Sequence, residues 1–385
     1  LDIDKPDPDL YPKGMLLFNT RRSGYNVKEF RSKHFSRANF ANTSTYPTLP
    51  GETDAWVTVS GNKSDGSPYM GRKAQRALVV KQLQAAVSSN TELREEQREF
   101  NVLAAPGYVE LIDELVTLSG DRGNTAFVVG DSPARLANNS TDITNWATNA
   151  NSSATNDEDG LVTSDSFTAV YYPWGTSTDL AGNNVFVPPS HMVLRTLAVN
   201  DDVAFPWFAP AGIRRGVVDN ATSVGFIKAS TGEKQVIAVS QGIRDTLSTN
   251  RVNPISFLTG AGLTIFGQKT RHSGTSALDR VNVARLVVFL RTQLDKLAQP
   301  FIFEPNDELT RNEIKQAVES FLLEVQGQRG LFDFAVVCDE TNNTPSRIDR
   351  NELYVDIAIE PVKAVEFIFI PIRLKNTGEI DQLGL

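Results

Sequence analysis

Three short stretches of the chain carry residues that could do chemistry. The densest is CDETNNTPSRIDRNEL, from Cys338 to Leu353, where Asp339, Glu340, Asp349 and Glu352 surround an Asn-Asn-Thr-Pro turn behind an apolar run. Paired carboxylates work as general acid and base when a pocket separates their pKa values and leaves room for substrate. Arg347 and Arg350 are interleaved with these acids and neutralise them equally well, so a charged hairpin tip is the simpler reading. The second stretch, VVGDSP, places Ser132 at a strand end, as one esterase family does. A serine nucleophile needs a base, usually a histidine held by an aspartate three residues earlier. His34, His191 and His272 have Arg31, Pro188 and Lys269 at that spacing. The third stretch, NDEDG (156–160), imitates part of a calcium loop, but Thr155 stands at the first ligand position and Ser166 where the bidentate glutamate belongs. GAGLTIFG (260–267) lacks the third glycine of a dinucleotide fingerprint, and the sequence has no Gly-x-x-x-x-Gly-Lys-Ser/Thr loop. The lone Cys338 excludes an internal disulfide and a cysteine zinc site, and reads as a small buried hydrophobe. No catalytic, metal or cofactor set emerges from spacing.

A chain of 385 residues, 40% hydrophobic and 22% charged, is long enough for two or three domains, with no apolar run of membrane-spanning length. A net charge of −8 and a pI near 5.1 argue against nucleic acid as the main partner. No signal peptide is legible, and the start at Leu1 without methionine reads as a processed or partial chain.

The elements that would position these stretches fall into three regions. Residues 1–95 read as peripheral and partly extended, with a basic run of Arg21, Arg22, Lys28, Arg31, Lys33 and Arg37, then a helical pattern over 72–97. That run is either a solvated face or a patch docking on an acidic protein surface. Residues 96–270 read as an α/β domain: NVLAAPG, VELIDELVTLSGDRG and TAFVVGDSP make a parallel βαβ unit, and FTAVYYPW, SHMVLRTLAV, GFIKAS and KQVIAVS continue it. Residues 137–160 are poor in apolar side chains and read as an exposed excursion that could be deleted without loss of the fold. Residues 271–385 read as an α+β domain of two helices on a small sheet. The first helix runs over 276–297. The second starts at Thr310 with a Thr-Arg-Asn-Glu capping box and ends at Gly327. Three strands follow: LFDFAVV, ELYVDIAIE and AVEFIFIPI. The last is apolar on both faces except at Glu366, so it is expected inside the domain with one edge open to pairing, and RLKNTGEIDQLGL beyond it is polar enough to reach a neighbour. The fold class is therefore α/β plus α+β, multidomain.

FIFEPND before a helix, then VQGQRGLFDFAVVCDETNNTPSRIDRNELYVDIAIEPVKAVEFI, resembles the tail sheath proteins of contractile-tailed bacteriophages. NVLAAPG, YYPW, VPPSHM, APAGIRRG, RVNPI and DRVNVARL follow the family's order, so the resemblance covers roughly 101–372, with a giant phage sheath of the phiKZ type as the nearest likeness. The resemblance implies a non-enzymatic structural subunit with no cofactor. Such subunits stack as hexameric rings in a helical sleeve around the tail tube, and contraction of a kinetically trapped extended state drives the tube through the host envelope. Implied partners are further copies of the chain, the tail tube protein, and baseplate and tail terminator proteins, with no nucleic acid and no membrane insertion. The implied place is the virion, and the host cytoplasm during assembly. Candidate subunit-contact residues are Glu366, Phe367, Ile368, Phe369, Arg373 and Lys375 at the C-terminal edge, and Arg21, Arg22, Arg31, Lys33 and Arg37 in the basic run. The open alternatives are an α/β hydrolase-like enzyme using Ser132, the sheath of a non-phage injection system, and a phage structural protein without a contractile role.

Overall fold

The computed structural model describes residues 70–95, 97–150, 157–228 and 233–366. In chain order, helix α1 (Met70–Ser89) precedes strand β1 (Val102–Ala104), helix α2 (Ile112–Asp121), strand β2 (Phe127–Asp131) and helix α3 (Ser140–Ala147). Strands β3 (Thr168–Tyr172), β4 (Trp174–Thr178) and β5 (Asn184–Val187) lead into helix α4 (Pro189–Val203) and a single turn, α5 (Gly212–Arg215). Next come β6 (Ser223–Ile227), β7 (Lys234–Ile237), α6 (Gln241–Thr249), β8 (Val252–Leu258) and β9 (Gly262–Ile265). Two long helices, α7 (Val281–Ala298) and α8 (Glu308–Gly327), precede β10 (Leu331–Val337), the short α9 (Pro345–Ile348) and β11 (Asp356–Pro361).

The central sheet has the order β1-β2-β3-β8-β9, parallel through β8 and antiparallel at β9. Every residue of β2 and β3 is buried. Parallel strands covered on both faces need such unbroken apolar runs, which explains why FVVGD and TAVYY show no alternation. Gly130 is required there, because a Cβ would stand 2.9 Å from Ile112 Cδ1 where α2 packs on the sheet. At the end of β2 the buried Asp131 accepts from Ser190 N at 2.6 Å, Ser190 Oγ at 2.9 Å and Gly107 N at 2.8 Å. It thus caps α4 from a distance and locks that helix over the sheet. Burial pushes its pKa up to about 6 against the pull of those donors. A four-stranded antiparallel sheet, β5-β4-β6-β7, stands beside the central one.

Residues 137–160 do not form the removable excursion expected from their composition. Asn139 caps α3 by accepting from Asp142 N at 2.8 Å, and Ile143, Trp146 and Ala147 are buried in the main core. Few apolar residues suffice when they recur three and four apart on one helical face. Asp157 returns the chain: its carbonyl accepts from the Trp146 indole, and its carboxylate from Val162 N and from Thr163 N and Oγ1. Removing this stretch would therefore open the core. Residues 151–156 lie outside the described set.

A second core forms around Leu286, Leu290, Ile314, Val318, Leu322, Val325, Leu331 and Trp207. Helix α7 serves both cores, since its Val281, Ala284 and Val288 pack on the central sheet. On α7 the buried Arg285 also pairs with Asp201 near the end of α4. Helix α8 begins earlier than expected: Asp307 is its cap, accepting from Thr310 N at 2.9 Å, so Thr310 lies inside the first turn and forms no capping box. The aspartate carboxylate is the stronger acceptor for those free amides. The small sheet also departs from expectation. Among the described residues it has two strands, β10 and β11. Residues 352–355 precede β11 without joining it, and Ala364–Glu366 are exposed and outside any strand. The remainder of AVEFIFIPI lies outside the described residues.

Candidate assembly surface

The carboxylate-rich stretch that opened the reading is the connection between β10 and β11. Two buried asparagines fold it. Asn342 Nδ2 donates to Val337 O at 2.7 Å and Asp356 Oδ2 at 2.9 Å, while Asn343 donates to Tyr354 O at 3.0 Å and accepts from Tyr354 N at 2.7 Å. The Arg347 guanidinium bonds Asn342 O and lies 3.8 Å from the centre of the Tyr354 ring. Two of the four acids, Asp339 and Glu352, are occupied locally. Asp339 accepts from Thr341 N at 2.8 Å and from its hydroxyl, which holds its pKa low. Glu352 takes both arms of Arg350, at 3.0 and 2.9 Å, and is lowered by that pairing. Cys338 beneath them is buried, which pushes its thiol up. Among the described residues no group of three His, Cys, Asp or Glu side chains is placed to hold a metal ion. The loop is a rigid tip that sets the register of the hairpin.

That hairpin is half built. Its inner face packs on the second core, through Leu331, Val336, Ile357 and Ile359. Its other face is open, with Phe332 at 74% exposure, and among the described residues no strand pairs with either outer edge. Past β11 the chain leaves the sheet, and Glu366 fixes its exit. The carboxylate receives Arg280 Nε at 2.7 Å, Arg280 Nη2 at 3.0 Å and Gln268 Nε2 at 3.1 Å. Arg280 stands immediately before α7 and also pairs with Asp279 at 2.9 Å. A cavity of about 620 Å³ lies between this departing segment and the start of α7, lined by Ser276, Arg280, Asn282, Lys363 and Val365 among others.

Of the expected contact residues, Glu366 is therefore engaged within its own chain. Phe367, Ile368, Phe369, Arg373 and Lys375, and Arg21, Arg22, Arg31, Lys33 and Arg37, lie outside the described residues. The sequence reading missed Arg280 and Gln268 as partners of Glu366, although DRVNVARL was already a singled-out motif. At the esterase-like site, Ser132 is fully buried and its hydroxyl has no hydrogen-bond partner among the described residues. His272 instead bonds Ser166, with 2.8 Å between Nδ1 and Oγ. Among the described residues, no base reaches the serine hydroxyl.

The half-built hairpin and its two helices coincide with a known domain. Residues 273–375 match the model of the phage tail sheath C-terminal domain. The tail sheath protein of Vibrio phage KVP40 is 35% identical over 185 residues, 48% of this chain and 26% of that protein. The tail sheath protein of Enterobacteria phage T4 is 31% identical over 261 residues, 66% of this chain and 37% of that protein. Over these stretches the chain is similar to phage tail sheath proteins. Those relatives are structural, not enzymes, and the chain spans well under half the length of either. The sheath complex of an extracellular contractile injection system in its contracted state shares the fold, at 21% identity, covering 78% of this chain and 75% of that one with a TM-score of 0.59.

Proposed function

We propose that this sheath relative is a structural subunit of a contractile phage tail. Copies stack as hexameric rings in a helical sleeve around the tail tube, and contraction of the sleeve drives the tube through the host envelope. The observation that carries the reading is the two-stranded sheet whose outer edges are unpaired among the described residues, inside the region that matches the sheath domain. An open edge invites an added strand, which supplies backbone hydrogen bonds without a tailored side-chain pocket. Repeated head to tail without closure, such pairing builds a helix. Backbone pairing also tolerates rotation of the rest of the subunit, which a shortening lattice requires. The energy resides in the extended lattice, so no nucleotide site is needed.

In this reading the partners are further copies, the tail tube protein, and baseplate and terminator proteins. The chain resides in the virion after assembling in the host cytoplasm. A phage is favoured over a non-phage injection machine because the 35% and 31% identities are to phage proteins, whereas the injection-system likeness, at 21%, speaks for the fold alone. Electron microscopy of the purified protein, with and without tube protein, tests the proposal. Tubular polymers are expected, and truncation after Leu374 is expected to abolish them while leaving the melting temperature unchanged. Tubes of normal length from the truncated chain would move assembly to other surfaces, with the stretch from Arg21 to Arg37 next.

A further inference from the structure

The two ends of helix α8 lie beside clusters of opposite charge. At its N-terminal end, Phe303 is completely exposed and held at a φ of 76°. Its turn is closed by Ile302 N donating to Gln299 O and Glu304 N to Phe301 O, both at 3.2 Å. Glu304, Asp307 and Glu308 are exposed around it, and neither Glu304 nor Glu308 has an ion pair among the described residues. An aromatic ring held outward with an acidic rim has the make-up of an interface anchor.

The C-terminal end is its complement. The Trp207 indole donates to Gln328 O at 3.2 Å and brings the 205–215 segment under the end of the helix. Phe205 stacks on Trp207 at 4.7 Å, and the Arg215 guanidinium lies 4.4 Å from the centre of the Phe208 ring. Arg214 and Arg329 are exposed beside it, and Ile213 is 68% exposed. Burial, and then the charges of Arg214 and Arg329, push the pKa of Arg215 down. Among the described residues no carboxylate pairs with any of the three arginines. Three neighbouring guanidinium groups, with Arg215 over the Phe208 ring, call for an anionic partner with apolar surface of its own.

We propose that a second copy of this chain seats the acidic, Phe303-bearing turn of its α8 on the Arg214, Arg215 and Arg329 cluster, aligning the two helices head to tail. The complementary ends of this 20-residue helix stand about 30 Å apart, so one copy cannot satisfy itself. Unlike patches on opposite ends of one subunit give an open chain of contacts, not a closed dimer. The inference rests on the reading of the chain as a polymerising subunit. It names a contact made by side chains on a rigid helix, distinct from edge pairing at the C-terminal sheet.

Charge reversal tests it. Arg214→Glu with Arg215→Glu, and separately Glu304→Lys with Glu308→Lys, are each expected to raise the concentration needed for tube formation roughly tenfold or more. An equimolar mixture of the two variants gains alternating matched contacts, and the quadruple variant restores the match throughout, so tubes are expected from the quadruple variant. Wild-type polymerisation by both double variants, or failure of the quadruple variant while its circular dichroism stays native, overturns the contact. A second measurement stands apart from tube formation. The sole native cysteine, Cys338, is buried, so Phe303→Cys and Ile213→Cys chains can be mixed and mildly oxidised. A mixed disulfide dimer is expected in excess over either homodimer, and its absence sinks the proposal. Failure of the wild type to form tubes counts against the sheath reading instead, because the cross-link reads this contact alone.

Discussion

The central sheet and the C-terminal hairpin solve opposite problems. In the central sheet, β2 and β3 are buried along their whole length and each is flanked by a strand on both sides. In the hairpin, β11 alternates between half-buried and exposed residues, and the outer edges are bare among the described residues. The first sheet encloses its inner strands β2 and β3 within the chain. The second has a core-facing side and, among the described residues, no inner strand at all. In the proposed reading, a subunit that must stay folded while its contacts rearrange gains from this division: the buried central strands hold the fold, and the hairpin edges are left for association. Helix α7 lies between them and packs on both cores.

The shared helix gives the largest expected effect. Leu322 is fully buried in the second core, so Leu322→Ala is expected to cost about 2–5 kcal/mol. If α7 couples the cores, that loss is felt in both. Trp207 reports on the C-terminal core and Trp146 on the central one, so single-tryptophan variants can follow each by fluorescence. Both signals are expected to shift to the same lower midpoint. A Trp207 transition that falls while Trp146 stays put would separate the cores and break the comparison at α7.

The second effect belongs to the closed sheet alone. Asp131 has a folded pKa of about 6, above its ordinary 3.8, so between those values the folded protein binds more protons than the unfolded chain. Its contribution is fully present below pH 4 and is lost as pH rises through 6, about 3 kcal/mol across that window. Asp339 and Glu352, in the hairpin loop, have lowered pKa values, so their smaller contributions run the other way and fade as pH falls. Denaturant unfolding of Asp131→Asn is expected to show a flatter dependence between pH 4 and 6 than wild type. An unchanged slope would mean the carboxylate is not held in the buried state described.

How far this was legible in the sequence follows the same division. The parallel strands and α7 and α8 could be read because continuous apolar runs and spacings of three and four leave local marks. Helix α3 was missed because Ile143, Trp146 and Ala147 are too few to stand out in a polar composition, although their spacing was already helical. The antiparallel sheet β5-β4-β6-β7 left only strand-like fragments, since β7 is largely exposed and carries no alternation. The hairpin tip was placed correctly as a polar turn, but not its mechanism, since Asn342 and Asn343 act by burial that the flanking charges conceal. The exit clamp was out of reach: Gln268 and Glu366 are 98 positions apart, and no local pattern marks them as partners.

The smallest effect on folding tests that clamp. Arg280 and Glu366 keep 29% and 25% of their side-chain surface, and a pair so placed contributes on the order of 1 kcal/mol or less. Arg280→Ala is thus expected to move the melting temperature by no more than about 2–4 °C, the shift for 1 kcal/mol in a unit of 150–250 residues. In the proposed reading assembly is another matter, because the clamp holds the chain at Glu366, immediately before the expected contact residues. Arg280→Lys keeps the charge but not the two-armed fork that meets both Glu366 oxygens. Tube formation is therefore expected to fall in the order wild type, Arg280→Lys, Arg280→Ala, with melting almost unchanged along the series. The exchanged pair Arg280→Glu with Glu366→Arg keeps the attraction and is expected to recover part of the loss. If all four proteins polymerise alike, the exit direction is set elsewhere, and the hairpin edges carry association without the clamp. If melting falls steeply along the same series, Arg280 belongs to the closed half of the molecule, and the boundary between the two halves lies beyond Glu366.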